Sequence, residues 1–311
     1  MKIAAIVLNY NDYEGTVSAL RRIDGFSCFD HIVAVDNAST DKSGDRIEEA
    51  IGKYGLRAEL LRNDRNGGYG YGNNRGVRYA AEHFGAQLAV IANPDAEFSE
   101  EIVLKMAGVL EKEKDAKAVG AVMHSKNREE EPDSGNLAYE EYIHSGWKRR
   151  SPAEGMLNSG PVMRRLFRRR LNYPPEYYIG TAKQSDGSEA EYVQVYAVHG
   201  SFLMVDTEAF LETGGYDEKM FLYGEENVLA EKFFRKGYRS FLLKAGYRHG
   251  GSVSITGSGM GAVRRQKNRN ASENYYYREY LHAGGAVLLM IRIFQAAVIA
   301  ETAIAAVFRI I

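Results

Sequence analysis

The chain has 311 residues, about twice the usual single-domain length, which allows one large α/β domain with an appendage or two domains. A hydrophobic share of 45% and a charged share of 26% exclude collagen-like, low-complexity and wholly disordered chains. Forty basic against 41 acidic residues leave a net charge of −1, so no global charge points to nucleic acid. A lone cysteine, Cys28, can form neither an intrachain disulfide nor a thiolate metal cage, which fits a reducing, cytoplasmic compartment.

The chain opens on a short apolar run, Ile3–Leu8, that passes into Asn9-Tyr10-Asn11 without a cleavage-site pattern, so no secretory signal is expected. Ile3–Leu8 reads as a strand, as do Ile32–Val35, Leu56–Leu61, Leu88–Ala92 and Ala118–Met123. Between them, Glu14–Ile23, Ser43–Tyr54, Asn73–Phe84 and Glu100–Lys112 carry apolar residues at helical spacing. Strand followed by helix, four times over, predicts right-handed βαβ units and a mainly parallel sheet. Ligands of such sheets sit beyond the carboxyl ends of the strands, where this chain places Asn9 and Asn11, Asp36 and Asn37, Asn63 and Asn66, and Asn93 and Asp95.

From about 124 to 190 no period is visible, and an irregular, partly mobile insertion is expected. Within it, Lys148, Arg149, Arg150, Arg164, Arg165, Arg168, Arg169 and Arg170 face only Glu154 as acidic counterweight. Order returns with the apolar runs Val193–Val198 and Phe202–Val205, a helix Glu225–Lys236 and a strand Ser240–Leu243. The apolar C-terminus is interrupted by Arg292, Glu301 and Arg309. Arg292, Gln295, Thr302 and Arg309 share one third of a helical circle, which suits an interfacial amphipathic helix better than a membrane span. Packing on the protein's own core is the equally weighted alternative.

Several segments carry chemistry. Asp36, at a strand end, can accept bonds from a ribose or a base, whereas Ser39, Thr40 or Asp41 would cap the following helix. The run Asn66-Gly67-Gly68-Tyr69-Gly70-Tyr71-Gly72-Asn73-Asn74-Arg75-Gly76 can bring backbone N–H groups close to a phosphate or sugar, or can serve as a structural turn. Its glycine spacing and its position after the third strand fit a dinucleotide fingerprint poorly. Asn93-Pro94-Asp95 stops a strand and aims a carboxylate at the crevice, where a hard divalent cation could take it together with substrate phosphate. Glu225 and Glu226 start a helix, a position where acidic residues also simply complement the helix dipole. His249 follows a strand and precedes Gly250-Gly251-Ser252.

In this order, Ile6-Val7-Leu8-Asn9-Tyr10-Asn11, Val33 to Asp41, Asn66-Gly67-Gly68 through Gly76, Asn93-Pro94-Asp95, Gly200-Ser201, Phe221 to Asn227 and His249 to Ser252 resemble a family 2 glycosyltransferase with the GT-A fold. The resemblance covers about residues 1–123 and 192–255. It implies a nucleotide-sugar-binding half over 1–123, a basic insertion on the acceptor or membrane side over 124–190, an acceptor and catalytic half over 191–255, and a helical, membrane-associating segment over 256–311.

It further implies that Asp36 holds the donor nucleoside with Asn9 and Asn11, and that Asn37, Asn66, Gly67, Gly68, Asn73, Asn74 and Asn93 line the donor side. Asp95 and His249 are then ligands of Mg²⁺ or Mn²⁺, and Glu226, with Glu225 as its rival, is the general base of an inverting transfer. Three departures stand out: Asn93 replaces the first Asp of an Asp-X-Asp motif, Glu226 stands where the family usually has Asp, and Val228 replaces a frequent acid. The Asn-Pro-Asp form and the arginine-rich insertion are similar to bacterial rhamnosyltransferases of surface-polysaccharide assembly. They favour dTDP-rhamnose over a UDP-sugar, a glycan or lipid-linked acceptor, and a peripheral place on the inner face of the membrane; an oligomer is compatible. Two other classes stay open: an NAD(P)-dependent oxidoreductase using the glycine run, and a non-catalytic nucleotide-sugar-binding protein.

Overall fold

The computed structural model describes residues 1–125, 138–179, 190–250 and 261–307. The amino-terminal half alternates as expected: β1 (Ile3–Asn9), α1 (Tyr13–Ile23), β2 (His31–Asp36), α2 (Ser43–Tyr54), β3 (Ala58–Arg62), α3 (Gly68–Phe84), β4 (Leu88–Ala92), the two-residue β5 (Ala96–Glu97), α4 (Glu100–Lys112) and β6 (Ala116–Ser125). Short elements follow: α5 (Tyr139–Ser145), β7 (Gly146–Trp147), α6 (Pro152–Ser159), α7 (Pro161–Leu166), α8 (Arg168–Leu171) and α9 (Pro175–Tyr178). The second half adds β8 (Tyr192–Val195), β9 (Ala197–Val198), β10 (Phe202–Asp206), α10 (Thr207–Glu212), α11 (Glu225–Arg235) and β11 (Arg239–His249), then helices Ala262–Glu279 and Gly285–Val307.

Among the described residues one nine-stranded sheet runs β3-β2-β1-β4-β10-β6-β11-β5, with β8 paired to β11. Strands β1 to β4 pair in parallel, as does β11 with β6, while β10 lies antiparallel between β4 and β6. The insertion of β10 stitches the two halves into one sheet. The nearly continuous apolar strands follow from burial on both faces: Ala4, Ile6, Val33 and Val35 lie in one core cluster, and Ala5, Val7, Ile32 and Ala34 in the other.

Several expectations change. The helix predicted from Asn73 begins at Gly68, so the glycine run forms its first turns. A Cβ on Gly76 would stand 2.5 Å from Ile6 Cγ2, so this helix sits on the sheet at a distance only glycine allows. The run Val193–Val198 is two strands, since β8 joins the large sheet and β9 pairs with β7. The strand predicted over Ser240–Leu243 extends to His249 across an irregularity between Leu243 and Gly246, which apolar periodicity does not register. The insertion is more ordered than its sequence suggests over 138–179, while 126–137 and 180–189, including the acidic run Glu129–Glu131, lie outside the described residues.

The C-terminal helix also differs from expectation. Its polar residues Gln295 and Thr302 are buried with Ile291 and Val298, while Leu289, Met290, Ile293 and Ile304 are exposed together with Arg292, so the outward face is mostly apolar; Arg309 lies outside the described residues. Gly285–Ile304, with mean hydropathy 1.9, is long and apolar enough to cross a membrane by length and composition.

Candidate active site

The strand ends do converge on one side of the sheet. Asn9 closes β1 and donates from Nδ2 to Asp36 Oδ1 at 2.8 Å, while its Oδ1 accepts from Thr16 Oγ1 at 3.0 Å. Asp36 Oδ1 also accepts from Ser39 Oγ at 2.6 Å, so Ser39 orients this carboxylate instead of capping α2. Asp41 takes that terminal role, accepting the Ser43 backbone N–H at 2.9 Å. Asn11, in the left-handed region at φ 53°, accepts from the Thr40 N–H at 2.8 Å. Asn37 donates to Asn66 Oδ1 and to Gly68 O, both at 3.0 Å. These bonds make a pre-ordered, partly buried polar floor from three loops, those after β1, β2 and β3.

The glycine run and its asparagines are used by the protein itself. Gly68 has φ 89°, and a Cβ there would lie 2.3 Å from Phe221 O, so only glycine fits where α3 starts against the 221 segment. Gly67 packs against the Tyr71 ring. Asn73 donates to Tyr69 O, and Asn74 clamps Tyr216 by giving a bond to its O and taking one from its N–H, both at 2.9 Å. Asn74 thus anchors α3 within the fold, while Asn73 bonds only its own helix and keeps Oδ1 buried without a hydrogen-bond partner among the described residues.

Asn93-Pro94-Asp95 turns out of β4, with the Asn93 N–H bonded to Ser201 O at 2.8 Å. Strand β11 returns beside it: Gly250 N–H donates to Asp95 O at 3.1 Å, and His249 pairs in register with Ala96. Asp95 Oδ1 and His249 Nε2 thereby stand 3.3 Å apart, both side chains largely buried. Arg22, on α1, reaches over to Ala96 O at 2.8 Å and braces the turn, and nothing in its sequence neighbourhood signals this. Among the described residues no group of three or more His, Cys, Asp and Glu forms a closed metal cage. His249 Nε2 is buried without a hydrogen-bond partner beside a carboxylate, and this donor set fits a hard divalent cation that keeps substrate phosphate or water as its other ligands.

Next to it, the His199 and His249 rings are 5.9 Å apart. His199 Nδ1 accepts the Ser201 N–H at 3.2 Å, so in the neutral ring Nε2 carries the hydrogen. Burial, with smaller contributions from His249 and His144, pushes the His199 imidazole down to about 4, keeping it neutral at physiological pH.

Glu225 and Glu226 open α11 after two consecutive residues at positive φ, Tyr223 at 73° and Gly224 at 83°. This strained approach leaves no side-chain cap and directs both carboxylates into the same cleft as Asn93, His199 and His249, a volume of about 800 Å³. Glu226 Oε1 accepts the Gly200 N–H at 3.2 Å, and burial raises its carboxyl against that bond and the Arg269 charge. Burial and the Glu226 charge push the Glu225 carboxyl up to about 8. Trp147, the only tryptophan, donates to Asn227 Oδ1 at 2.8 Å and ties the insertion to this helix start.

The insertion and the helix Ala262–Glu279 form the remaining wall, with Arg150, Arg164, Arg165, Arg168 and Arg269. The sequence marked the first four as a basic stretch but gave no sign that they enter the cleft, and it did not single out Arg269 or Glu273. Arg149 is structural, held bidentately by Glu231 at 2.8 and 2.9 Å.

A β4–β10–β6 sheet with a polar floor at its strand ends and an Asp–His pair beside it defines a GT-A-type nucleotide-sugar transferase fold. The model of glycosyl transferase family 2 matches residues 5–172, more than half of the chain, and the chain belongs to that family. It is similar to the low-salt glycan biosynthesis hexosyltransferase Agl10 of Haloferax volcanii, 23% identical over 227 residues, 72% of this chain and 59% of that protein. The chain therefore spans less than two thirds of that relative's length. The mannosyltransferase PcManGT from Pyrobaculum calidifontis, solved with GDP-Man and Mn²⁺, superposes with TM-score 0.57 at 15% identity, covering 98% of this chain and 75% of that one. GalNAc-T7, solved with UDP, GalNAc and Mn²⁺, gives TM-score 0.56 at 15% identity, over 80% of this chain and 44% of that one. At such identities these likenesses establish the fold.

Proposed function

We propose that the protein is an inverting glycosyltransferase that moves a hexose from a nucleotide-sugar to a glycan or lipid-linked acceptor in cell-surface polysaccharide synthesis. The observation that carries this reading is the meeting of Asp95 and His249 at 3.3 Å, with His249 lining the cleft that also receives Glu225 and Glu226.

In this reading Asp36, oriented by Asn9 and Ser39, takes the nucleoside, and Asp95 and His249 hold Mg²⁺ or Mn²⁺ against the diphosphate. The cation, when bound, neutralises charge on the departing nucleoside diphosphate. Glu226, fixed by the Gly200 N–H, removes the acceptor hydroxyl proton as that oxygen attacks the anomeric carbon from the face opposite the leaving group. Glu225, buried beside it, keeps its own proton and so does not compete for the acceptor's. His199 offers its Nε2–H as a neutral donor next to His249.

An NAD(P)-dependent oxidoreductase loses support, because the glycine run packs on Phe221, Ile6 and Tyr71. Thermal shift with dTDP-, UDP- and GDP-sugars, with and without Mn²⁺, tests the reading and ranks dTDP-rhamnose against the others. Stabilisation that needs both nucleotide and cation supports it. Stabilisation by NAD(P)H alone, or binding without any sugar transfer, overturns it. The apolar outer face of the C-terminal helix and the adjoining arginines support attachment to an anionic membrane surface, which brings the cleft to a lipid-linked acceptor.

A further inference from the structure

The wall of the cleft formed by the insertion and the helix Ala262–Glu279 holds Arg150, Arg164 and Arg269, none of which makes an ion pair among the described residues. Arg164, half-buried on α7, makes no ion pair or side-chain hydrogen bond among the described residues. Arg150 gives its bonds to neutral acceptors, Leu171 O at 2.9 Å and Asn172 Oδ1 at 3.0 Å. Arg269 rests over the Tyr223 ring, 5.5 Å from its centroid. The acid near all three is Glu273, which accepts from Gln295 Nε2 at 3.4 Å.

Burial pushes that carboxyl up to about 7, so it offers less than a full counter-charge at neutral pH. Burial also lowers the guanidinium pKa of Arg150 and of Arg164, the sign of cations desolvated without adequate partners. Cations removed from water without pairing are costly, and proteins pair them or hand them a ligand. Here they line an open cleft.

We infer that Arg164 and Arg269, backed by Arg150, form a subsite for a phosphate or diphosphate group carried by the acceptor. The inference rests on the transferase reading for its side of the reaction. Glu226 is bonded to Gly200 and feels the Arg269 charge, so a group held by the arginines lies beside the proposed base, on the side assigned to the acceptor. Glu301 also lies near Arg164 and Glu154 near Arg150, yet no ion pair joins them among the described residues, and planar guanidinium forks match phosphate oxygens.

The test is calorimetry with inorganic pyrophosphate in EDTA, which removes metal-mediated binding at Asp95. The wild-type protein should bind pyrophosphate, Arg164→Gln should weaken it at least about tenfold, and Arg164→Lys should recover part of the loss. Asp95→Ala should leave it unchanged. Equal affinity in Arg164→Gln, or loss in Asp95→Ala, overturns the subsite. Farnesyl diphosphate in place of pyrophosphate separates the sources: tighter binding assigns the phosphate to a lipid, and equal binding to a soluble glycan phosphate. Nucleotide binding with Mn²⁺, measured on the same proteins, should survive Arg164→Gln and shows that the variant is folded. Its absence from the wild-type protein would sink the transferase reading while leaving the pyrophosphate result to judge the subsite alone.

Discussion

Asp95 Oδ1 and His249 Nε2 lie 3.3 Å apart because the two-residue β5 pairs antiparallel with the end of β11. The pairing fixes both backbones, so the side chains meet without long flexible loops. With Asn93 in place of a second carboxylate, the proposed cation site has this pair as its principal donor set. Asp95→Asn should therefore weaken nucleotide binding in Mn²⁺ by roughly tenfold or more, the scale for a charge-assisted contact, and leave metal-free binding almost unchanged. Calorimetry with and without Mn²⁺ checks it, and identical titrations for variant and wild type would remove the metal from this site.

Glu226 is the carboxylate with a fixed orientation, held by Gly200 N–H at 3.2 Å. A positioned base contributes about 10²–10⁴-fold to rate. Glu226→Gln keeps the size and the Gly200 bond but cannot take a proton, so turnover should fall at least about a hundredfold with donor affinity retained. Glu225→Gln should cost far less. A reversal of that ranking in initial-rate measurements would assign the base to Glu225.

The same pair makes stability pH-dependent. The Glu225 carboxyl is raised in the folded state from 4.5 to about 8, so the folded form binds the proton more tightly than the unfolded chain. Its contribution is fully present below about 4.5 and is lost as pH rises through about 8. Tm should decline across that window, and Glu225→Gln should flatten the decline, raising Tm at pH 8 by on the order of a few degrees. A parallel decline in both proteins would locate the effect elsewhere. Turnover should move oppositely, rising with pH as the pair loses its first proton.

The parallel sheet was legible because buried strands are short, apolar and closed by polar residues. Asp36, Asp95 and His249 stood out because each follows a strand. The irregular part of β11 was not legible, since Lys244 to Gly246 break apolar periodicity while the ladder continues to His249. The structural share of Asn74 was not legible, because an asparagine that clamps Tyr216 has the same letter as one that binds a sugar. Arg269 and Glu273 carried no local signal at all. They sit on a polar helix, and only its docking against Tyr223 and Gln295 brings them into the cleft.

Gly68 gives the sharpest test of the join between α3 and the 221 segment. Its φ of 89° disfavours any side chain, and a Cβ would overlap Phe221 O, a backbone atom that cannot rotate away. Gly68→Ala should destabilise the fold by roughly 1–3 kcal/mol, read by denaturant unfolding. Gly52→Ala, where the new Cβ meets nothing within 4 Å, should be neutral or slightly stabilising. Equal stability of the two variants would mean that α3 does not start as described.

The C-terminal helix turns Leu289 (61% exposed) and Ile293 (66% exposed) away from the protein while burying Gln295 and Thr302. A helix facing water would do the reverse, so an apolar environment is the natural partner of its outer face. Helix α6 contacts both it and α7, and along α7 and α8 exposed Val162, Leu166 and Phe167 alternate with Arg165, Arg169 and Arg170. Apolar side chains interleaved with arginines that make no ion pair among the described residues suit an anionic bilayer surface, to which each basic residue contributes about 1 kcal/mol. Cosedimentation with vesicles rich in anionic lipid should therefore weaken by on the order of a hundredfold when Arg165, Arg169 and Arg170 all become Gln, and weaken in high salt. Leu289→Asp with Ile293→Asp should abolish it at any salt concentration. If charge reversal of the lipid and these substitutions change nothing, the outer face serves a protein partner, and size-exclusion chromatography of the double variant will show whether that partner is a second copy of the chain.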